Sequence, residues 1–117
     1  MRRNDRAEAY ATLGQAYINQ EQYPEAADAL YNAGKYTRNK ALRGRYYFIA
    51  AQLYEKQHQK DSAEVAFEKV VKQNWKIPRK LWVEAQAGKA RNKTFTPEEK
   101  AEFLAYLRKL ENRYEHK

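Results

Sequence analysis

Residues 45–73, RYYFIAAQLYEKQHQKDSAEVAFEKVVKQ, decide the fold because the earlier stretch 8–36, EAYATLGQAYINQEQYPEAADALYNAGKY, repeats their pattern. A shift of 37 residues aligns aromatic, small and aliphatic side chains in the same order. The aligned pairs are Tyr10 with Tyr47, Leu13 with Ala50, Gly14 with Ala51, Tyr17 with Tyr54, Ala26 with Ala63, Leu30 with Phe67 and Ala33 with Val70. Matches at regular spacing predict an internal repeat, in which copies of one unit stack side by side.

The first copy predicts two helices joined by a short polar turn. Apolar residues recur at helical spacing from Ala7 to about Asn19, and a polar turn follows. Pro24 then stands in the first turn of a second helix, where its missing N–H group costs no hydrogen bond. These features predict a helical hairpin over about 7–37.

The second copy predicts a similar hairpin over about 41–73. Its first helix spans roughly Ala41 to Gln57 and has a broader apolar surface than a single stripe, which is typical of a helix packed on both sides. Its second helix begins near Asp61, where acidic and hydroxyl side chains suit a helix start, and ends near Gln73. This copy is expected to form the middle of the array.

The rest of the chain predicts a third hairpin over about 79–113. Pro78 marks the preceding break, and a helix of weaker periodicity follows at 79–91. The sequence TPEE at 96–99 is a helix-start signal, with threonine as N-cap, proline at N1 and glutamate at N3. The resulting helix is predicted over about 97–112, either capping the array or leading into another repeat.

Phe95 precedes this last helix and is the apolar residue available to hold its first turn. An apolar side chain just before an N-cap commonly packs onto the first turns of its helix. We therefore expect Phe95 to pack against the stem of Lys100 or against Ala101.

Composition favours one helical domain. The 117 residues are enough for a core but few for two independent domains. Tyr is frequent at ten residues, whereas Gly and Pro number only four and three, which disfavours a turn-rich β protein. No run approaches the roughly 18 apolar residues that span a bilayer, and the first residues lack a signal-peptide core. The sequence therefore predicts a soluble all-α domain over residues 1–117.

The order of residue types in both copies resembles the tetratricopeptide repeat. The shared features are an aromatic residue early in the first helix, the Leu13-Gly14 or Ala50-Ala51 pair, a tyrosine, and small and bulky residues alternating in the second helix. The resemblance implies a right-handed superhelical array of about three helical hairpins, an α-α superhelix. The period of 37 departs from the usual one of about 34, which implies extra residues that lengthen either the second helix of the hairpin or the turn near 37–40.

Residues 43–117 show a narrower resemblance. RYYFIAAQLYEK at 45–56, AFEKVV at 66–71, Pro78 and EAQAGKAR at 84–91 are similar to the repeat region of Bacteroidota lipoproteins associated with gliding motility and type IX secretion. This resemblance implies an excerpt of a longer, lipid-anchored protein on the periplasmic side of the outer membrane. The implied role is a scaffold between secretion or motility components. Without the resemblance, the expected location is the cytoplasm.

Arrays of this kind leave a concave surface, lined by the first helix of each hairpin, that binds an extended peptide or a partner helix. The candidate partner-binding residues are Gln15, Asn19, Arg45, Phe48, Gln52 and Lys56. The amides of Gln15 and Gln52 suit a peptide backbone, while Phe48 either anchors a partner or lies in the core. The lysine and asparagine clamp of chaperone-binding repeats is missing from the corresponding positions, which include Gln15 and Gln52.

A formal net charge of +8 raises a second possibility, an acidic partner such as nucleic acid or an anionic surface. Phosphate binding would use an edge of basic residues near the hairpin junctions. Two groups are available there: Lys35, Arg38, Lys40, Arg43 and Arg45, and then Lys69, Lys72, Lys76, Arg79 and Lys80. The aromatic residues that could stack on bases are already used by the repeat, so this remains the alternative.

No residue pattern predicts catalysis, a cofactor or a metal site. His58 lies in a polar turn and His116 near the end of the sequence, neither with a spaced partner. Glu98 and Glu99 suit the first turn of a helix, where carboxylates favour the dipole. With no cysteine, thiolate chemistry and disulfides are excluded. The sequence therefore predicts a non-enzymatic protein with no cofactor, and leaves its oligomeric state open.

Overall fold

The structure, a computed structural model, describes residues 2–115, with side chains described as far as Arg113. The described residues form six α-helices and one short 3-10 helix, Asn74–Lys76, and contain no strand. The α-helices are α1 Arg3–Asn19, α2 Tyr23–Tyr36, α3 Lys40–Lys56, α4 Lys60–Val71, α5 Arg79–Asn92 and α6 Pro97–Glu115. The prediction of an all-α fold is confirmed.

Helices α1 to α5 form a row in which each helix packs against the next one in the chain. The first two hairpins match under the shift that relates their sequences: α1 and α3 each span 17 residues and start at Arg3 and Lys40. The second helices, α2 and α4, start at Tyr23 and Lys60, which the same shift relates. The sequence repeat is thus also a repeat of helix boundaries.

The turns inside these hairpins are closed by the same hydrogen bonds. Gln22 N–H donates to the Tyr17 carbonyl at 2.8 Å, and Gln59 N–H donates to the Tyr54 carbonyl at 3.0 Å. Between each pair lies a residue in the left-handed region, Glu21 at φ 58° and His58 at φ 60°. This is the Schellman arrangement, which satisfies the last carbonyls of a helix and reverses the chain.

Small residues allow the two helices of a hairpin to lie close together. A Cβ atom on Gly14 of α1 would lie 2.8 Å from Cγ of Leu30 in α2. The second helices contribute Ala26 and Ala63, both completely buried. Phe67, which the repeat relates to Leu30, is also completely buried.

Aromatic residues join the first hairpin to the second. Tyr31 of α2 meets the ring of Tyr47 in α3 edge to face, with centroids 5.1 Å apart. The hydroxyl of Tyr54 donates a hydrogen bond to the Asp28 carboxylate at 2.7 Å. Since α3 packs against both α2 and α4, it is the central helix that its broad apolar surface predicts.

Polar contacts fix α5 beside the second hairpin. Arg91 donates two hydrogen bonds to the carboxylate of Glu55 in α3, at 3.0 and 3.1 Å. The buried amide of Asn92 donates to Glu55 at 2.7 Å and to the Gly88 carbonyl at 2.8 Å. Lys89 forms an ion pair with Glu68 of α4. These contacts hold the C-terminal end of α5.

The predicted third hairpin differs most from the structure, because α6 does not pack against α5. Every residue from 101 to 109 is exposed. One cause is that α4 packs against the small-residue side of α5. The shift of 37 relates Gly88 to Gly14, yet Gly88 faces α4, where a Cβ atom would lie 2.5 Å from the Phe67 ring. The small-residue side of α5 is thus already occupied.

The linker at 93–96 is a second cause. The shift relates Phe95 to the left-handed turn residues Glu21 and His58, and a bulky aromatic residue is strained in that conformation. Lys93 is instead extended, with φ −72° and ψ 134°, so the chain leaves α5 without a tight reversal.

The start of α6 matches its sequence signal. Thr96 Oγ1 accepts a hydrogen bond from Glu99 N–H at 3.2 Å, and Glu99 accepts one from Thr96 N–H at 3.3 Å. This is the predicted capping box. Phe95 stacks on Phe103 with centroids 5.3 Å apart, a contact that the sequence did not predict. Two aromatic rings bury more apolar surface than a ring and an alanine.

Candidate interaction surfaces

Five of the six predicted partner-binding residues are exposed on the first helices of the two hairpins. We call this set the polar strip: Gln15, Asn19, Arg45, Gln52 and Lys56. Ala51 and Leu53, on either side of Gln52, are buried. The strip is therefore the solvent side of helices whose opposite side forms the core.

Phe48, the sixth predicted residue, belongs to the contact between α3 and α4. Its ring meets the ring of Phe67 edge to face, with centroids 5.9 Å apart. It is half-buried and packs against the hydrophobic core. Of the two roles considered for Phe48, packing between helices is the one that these contacts favour.

The ends of α1 and α3 lie near each other at one end of the polar strip. The Gln15 amide donates a hydrogen bond to Asn19 Oδ1 at 3.1 Å, one helical turn away. The ammonium group of Lys56 lies 5.6 Å from the ring centre of Tyr23, which follows the α1–α2 turn. A cation of α3 is thus held beside an aromatic ring at the start of α2.

Basic residues from the two predicted groups meet in a second surface, the basic cluster of Lys40, Arg43 and Lys76. Lys40 begins α3 and Lys76 ends the 3-10 helix, and the positive charge of Lys40 acts on the ammonium group of Lys76. The pKa of Lys76 is lowered chiefly by Lys40, with smaller effects of burial and of Arg43. Arg43 donates to the Thr37 carbonyl at 2.6 Å. Like charges are therefore crowded where the hairpins join.

Apolar side chains are exposed on α1, where the row of helices begins, and on α6, which follows the last helix of the row. Sequence reasoning did not predict this exposure. On α1, a hollow of about 320 Å³ is lined by Arg6, Ala9, Tyr10 and Leu13, here called the α1 face. On α6, the exposed residues are Phe103, Leu104 and Leu107, here called the α6 face. Leu13 in α1, and Leu104 and Leu107 in α6, belong to apolar positions that recur at helical spacing. The sequence does not show whether another helix packs against those positions.

Trp75 is the most exposed large apolar residue, with 80% of its surface accessible. It lies in the 3-10 helix between α4 and α5, and the ammonium group of Lys76 is 5.3 Å from its ring centre. Asn74 before it has φ 52°, which turns the chain sharply at this point. The sequence break at Pro78 indicated this turn but not the exposure of the tryptophan.

Three titratable residues with shifted pKa values, Glu55, Glu68 and Tyr54, have their interaction partners on another helix. Hydrogen bonds from Arg91 lower the pKa of Glu55, and those from Lys89 lower the pKa of Glu68. Burial, with the hydrogen bond to Asp28, raises the pKa of Tyr54. Among residues 2–115, no group of His, Asp and Glu is arranged to hold a metal ion. His58 occupies the left-handed position of the α3–α4 turn, and His116 lies outside the described residues.

No helix in the described part of the chain combines the length and apolar character needed to cross a membrane. No protein-family model matches the sequence, and no curated protein matches it either.

Proposed function

We propose that this chain is a non-enzymatic protein-interaction module of the tetratricopeptide type, which binds an extended peptide or a partner helix along α1 and α3. The recurrence of exposed polar residues carries the proposal. Gln15 and Gln52 are related by the repeat, as are Asn19 and Lys56, and all four are exposed. A surface that recurs with the repeat can contact a partner at regular intervals.

The chemistry of the polar strip suits a polar backbone more than an apolar anchor. Side-chain amides both donate and accept hydrogen bonds, so Gln15 and Gln52 can pair with peptide groups of any sequence. Lys56 and Arg45 add positive charge, which favours an acidic peptide. Because Phe48 packs on Phe67, the recognition proposed here relies on hydrogen bonds and charge.

The narrower form of the proposal is a scaffold in an envelope secretion or motility complex, on the periplasmic side of the outer membrane. Its support is the resemblance of residues 43–117 to gliding-motility and type IX secretion lipoproteins. A test independent of the fold is the gene sequence upstream of Met1. A signal peptide ending in a lipidation cysteine is expected there. An upstream sequence without such a signal peptide would contradict this form of the proposal.

The interaction itself is tested by a variant in which Gln15, Gln52 and Lys56 are all replaced by alanine. We expect the wild-type chain to retain a defined protein from the cells that produce it, and the triple variant to lose that protein while keeping its helical circular dichroism. The matched control replaces Lys60, Glu84 and Arg108, which are also exposed but outside the polar strip. Equal retention by both variants would move the interface away from α1 and α3.

The basic cluster favours a second candidate function, binding of nucleic acid or another polyanion. Crowded ammonium groups gain stability when a phosphate neutralises them. Lys40→Gln with Lys76→Gln would then weaken oligonucleotide binding and lower its salt dependence by about two units of slope. Fluorescence anisotropy over a salt series measures both quantities. If the wild-type chain shows no salt-dependent binding, this candidate is excluded.

A further inference from the structure

Trp75 is a largely exposed aromatic residue in the middle of the chain, between two helices that pack against each other. It lies in the 3-10 helix that joins α4 to α5. The shift of 37 residues relates Asn74 to Thr37, yet Asn74 has φ 52° and Thr37 has an extended backbone. The second junction therefore has its own conformation, which presents a large ring with a polar N–H group, a side chain common at binding surfaces.

Packing against α3 holds this segment in place beside the basic cluster. Ile77, two residues after Trp75, is buried, and a Cβ atom on Gly44 of α3 would lie 2.5 Å from its Cγ2. Gly44 lies four residues after Lys40, on the same side of the helix, so this contact brings Lys76 to the start of α3. The ammonium group of Lys76 also lies 5.3 Å from the ring centre of Trp75. The indole is thus fixed next to the basic cluster.

The two segments that meet here carry positive charge and no acidic residue of their own. The sequence has no Asp or Glu between Asp28 and Glu55, or between Glu68 and Glu84. All members of the basic cluster belong to these two segments. Cations that folding brings together attract anions. The site therefore combines a positive field with an exposed flat ring.

A ligand that uses both features carries negative charge and a flat group. An acidic peptide would neutralise the cations and leave the indole uncovered, and a duplex keeps its bases stacked in its interior. An anionic membrane binds several apolar side chains of an amphipathic helix, whereas this segment has three residues, of which only Trp75 is apolar. Each nucleotide of a single strand offers one phosphate and one base that is free to stack.

We propose that Trp75 and the basic cluster bind single-stranded nucleic acid, with a base stacked on the indole and the adjoining phosphates at the cluster. The proposal rests on the second candidate function, polyanion binding by the basic cluster, and adds the class of nucleic acid. The cluster lies at the start of α3, whereas Gln52 and Lys56 of the polar strip lie near its end. Binding here and protein binding at Gln52 and Lys56 therefore use different parts of α3.

Fluorescence anisotropy with three labelled probes of one length separates stacking from charge. The probes are a single strand of about 12 nucleotides, the matching abasic strand, which keeps the phosphates and lacks the bases, and the duplex. Trp75→Ala is expected to weaken binding of the single strand at least about fivefold and to leave binding of the other two unchanged. Trp75→Phe keeps an aromatic ring and is expected to retain most of the affinity.

Two further variants serve as controls. Tyr106→Ala removes an exposed aromatic ring from α6, outside the row of helices, and is expected to bind all three probes as the wild type does. Lys40→Gln with Lys76→Gln is expected to weaken binding of all three probes, because each carries phosphates. Since Trp75 and Tyr106 are exposed, circular dichroism is expected to stay unchanged in their variants.

Intrinsic fluorescence reports the stacking directly. Trp75 is one of two tryptophans, so Trp82→Phe leaves it as the only one. In that variant the single strand is expected to quench the emission, whereas the abasic strand is expected to leave it unchanged. The same variant is mixed with vesicles that contain phosphatidylserine, which carry negative charge without bases.

Three results would overturn the proposal. If the wild type binds none of the probes in a salt-dependent way, the second candidate function fails together with it. If Trp75→Ala binds the single strand as tightly as the wild type does, the basic cluster binds polyanions by charge alone, and only the role of Trp75 is refuted. A change in Trp75 emission with the vesicles and none with the single strand would assign this surface to a membrane.

Discussion

His58 illustrates at the scale of one residue how a side chain with catalytic potential serves a backbone need. It occupies the left-handed position of the α3–α4 turn, and Glu21 occupies the equivalent position one repeat earlier. The sequence placed His58 in a polar turn, but it gave no sign of the left-handed conformation, because neither position holds the usual Gly or Asn. The repeated hydrogen bonds of the turn impose that conformation.

We predict that His58→Gly raises the free energy of unfolding by about 0.5–1 kcal/mol, because glycine adopts a positive φ without the steric cost of a Cβ atom. Urea denaturation measures the change. Gln57→Gly is the matched control: Gln57 has φ −93° and its side-chain amide donates to the Leu53 carbonyl at 2.9 Å. Glycine there brings greater flexibility and loses this hydrogen bond, so it is expected to destabilise the protein. A loss of stability in both variants would contradict the left-handed assignment.

At the scale of helices, periodicity predicted the existence and approximate bounds of all six, while packing determined which of them pair. The alignment of Leu30 with Phe67 correctly indicated two positions that are buried. Extending it by another 37 residues reaches Leu104, which is exposed. Whether a helix returns onto its predecessor depends on the turn, and the linker at 93–96 carries Phe95 where the tight turns have a left-handed residue.

The same chemical change at two repeat-related positions tests this difference. Leu30→Ala is expected to cost about 2–5 kcal/mol of unfolding free energy, because it opens a cavity at a buried site in α2. Leu104→Ala in α6 is expected to cost less than about 0.5 kcal/mol, since the side chain makes few contacts. Urea denaturation measures both changes. A comparable loss from Leu104→Ala would mean that α6 packs within its own molecule.

The contact between α3 and α5 is expected to depend on pH. Hydrogen bonds from Arg91 lower the pKa of Glu55 below its ordinary value of 4.5, so the ionised form stabilises the fold. That contribution is complete above the unfolded-state pKa and is lost as the pH falls through the lowered one. We expect less than about 1 kcal/mol, because Glu55 and Arg91 remain partly exposed.

Glu55→Gln measures this contribution, since glutamine keeps the shape and one acceptor for Asn92. The variant is expected to be less stable than the wild type at neutral pH, and the difference is expected to decrease as the pH falls through the lowered pKa of Glu55. Urea midpoints measured at neutral pH and in acid give the comparison, with Glu84→Gln on the exposed side of α5 as the control. A difference that is equally large in acid would assign the effect to something other than the ion pair.

At the scale of the whole molecule, the sequence predicted the fold class and an exposed polar strip better than it predicted the ends of the array. The sequence could predict that Gln15 and Gln52 are exposed, because a repeat shows which positions recur on one side of a helix. Phe48 could not be assigned, because an aromatic residue at that spacing suits both a core and a binding surface, and only the position of Phe67 distinguishes them. The α1 and α6 faces depend on which helices lack neighbours, which no local pattern encodes.

The central claim is that the polar strip of α1 and α3 binds a protein, and site-specific photo-crosslinking tests it most directly. A photoreactive amino acid is placed at Gln15 or Gln52, and in a control at Val65, in cells that produce the chain. The account predicts one defined protein adduct shared by positions 15 and 52 and missing from position 65. Adducts to nucleic acid, or the same adducts from all three positions, would contradict it.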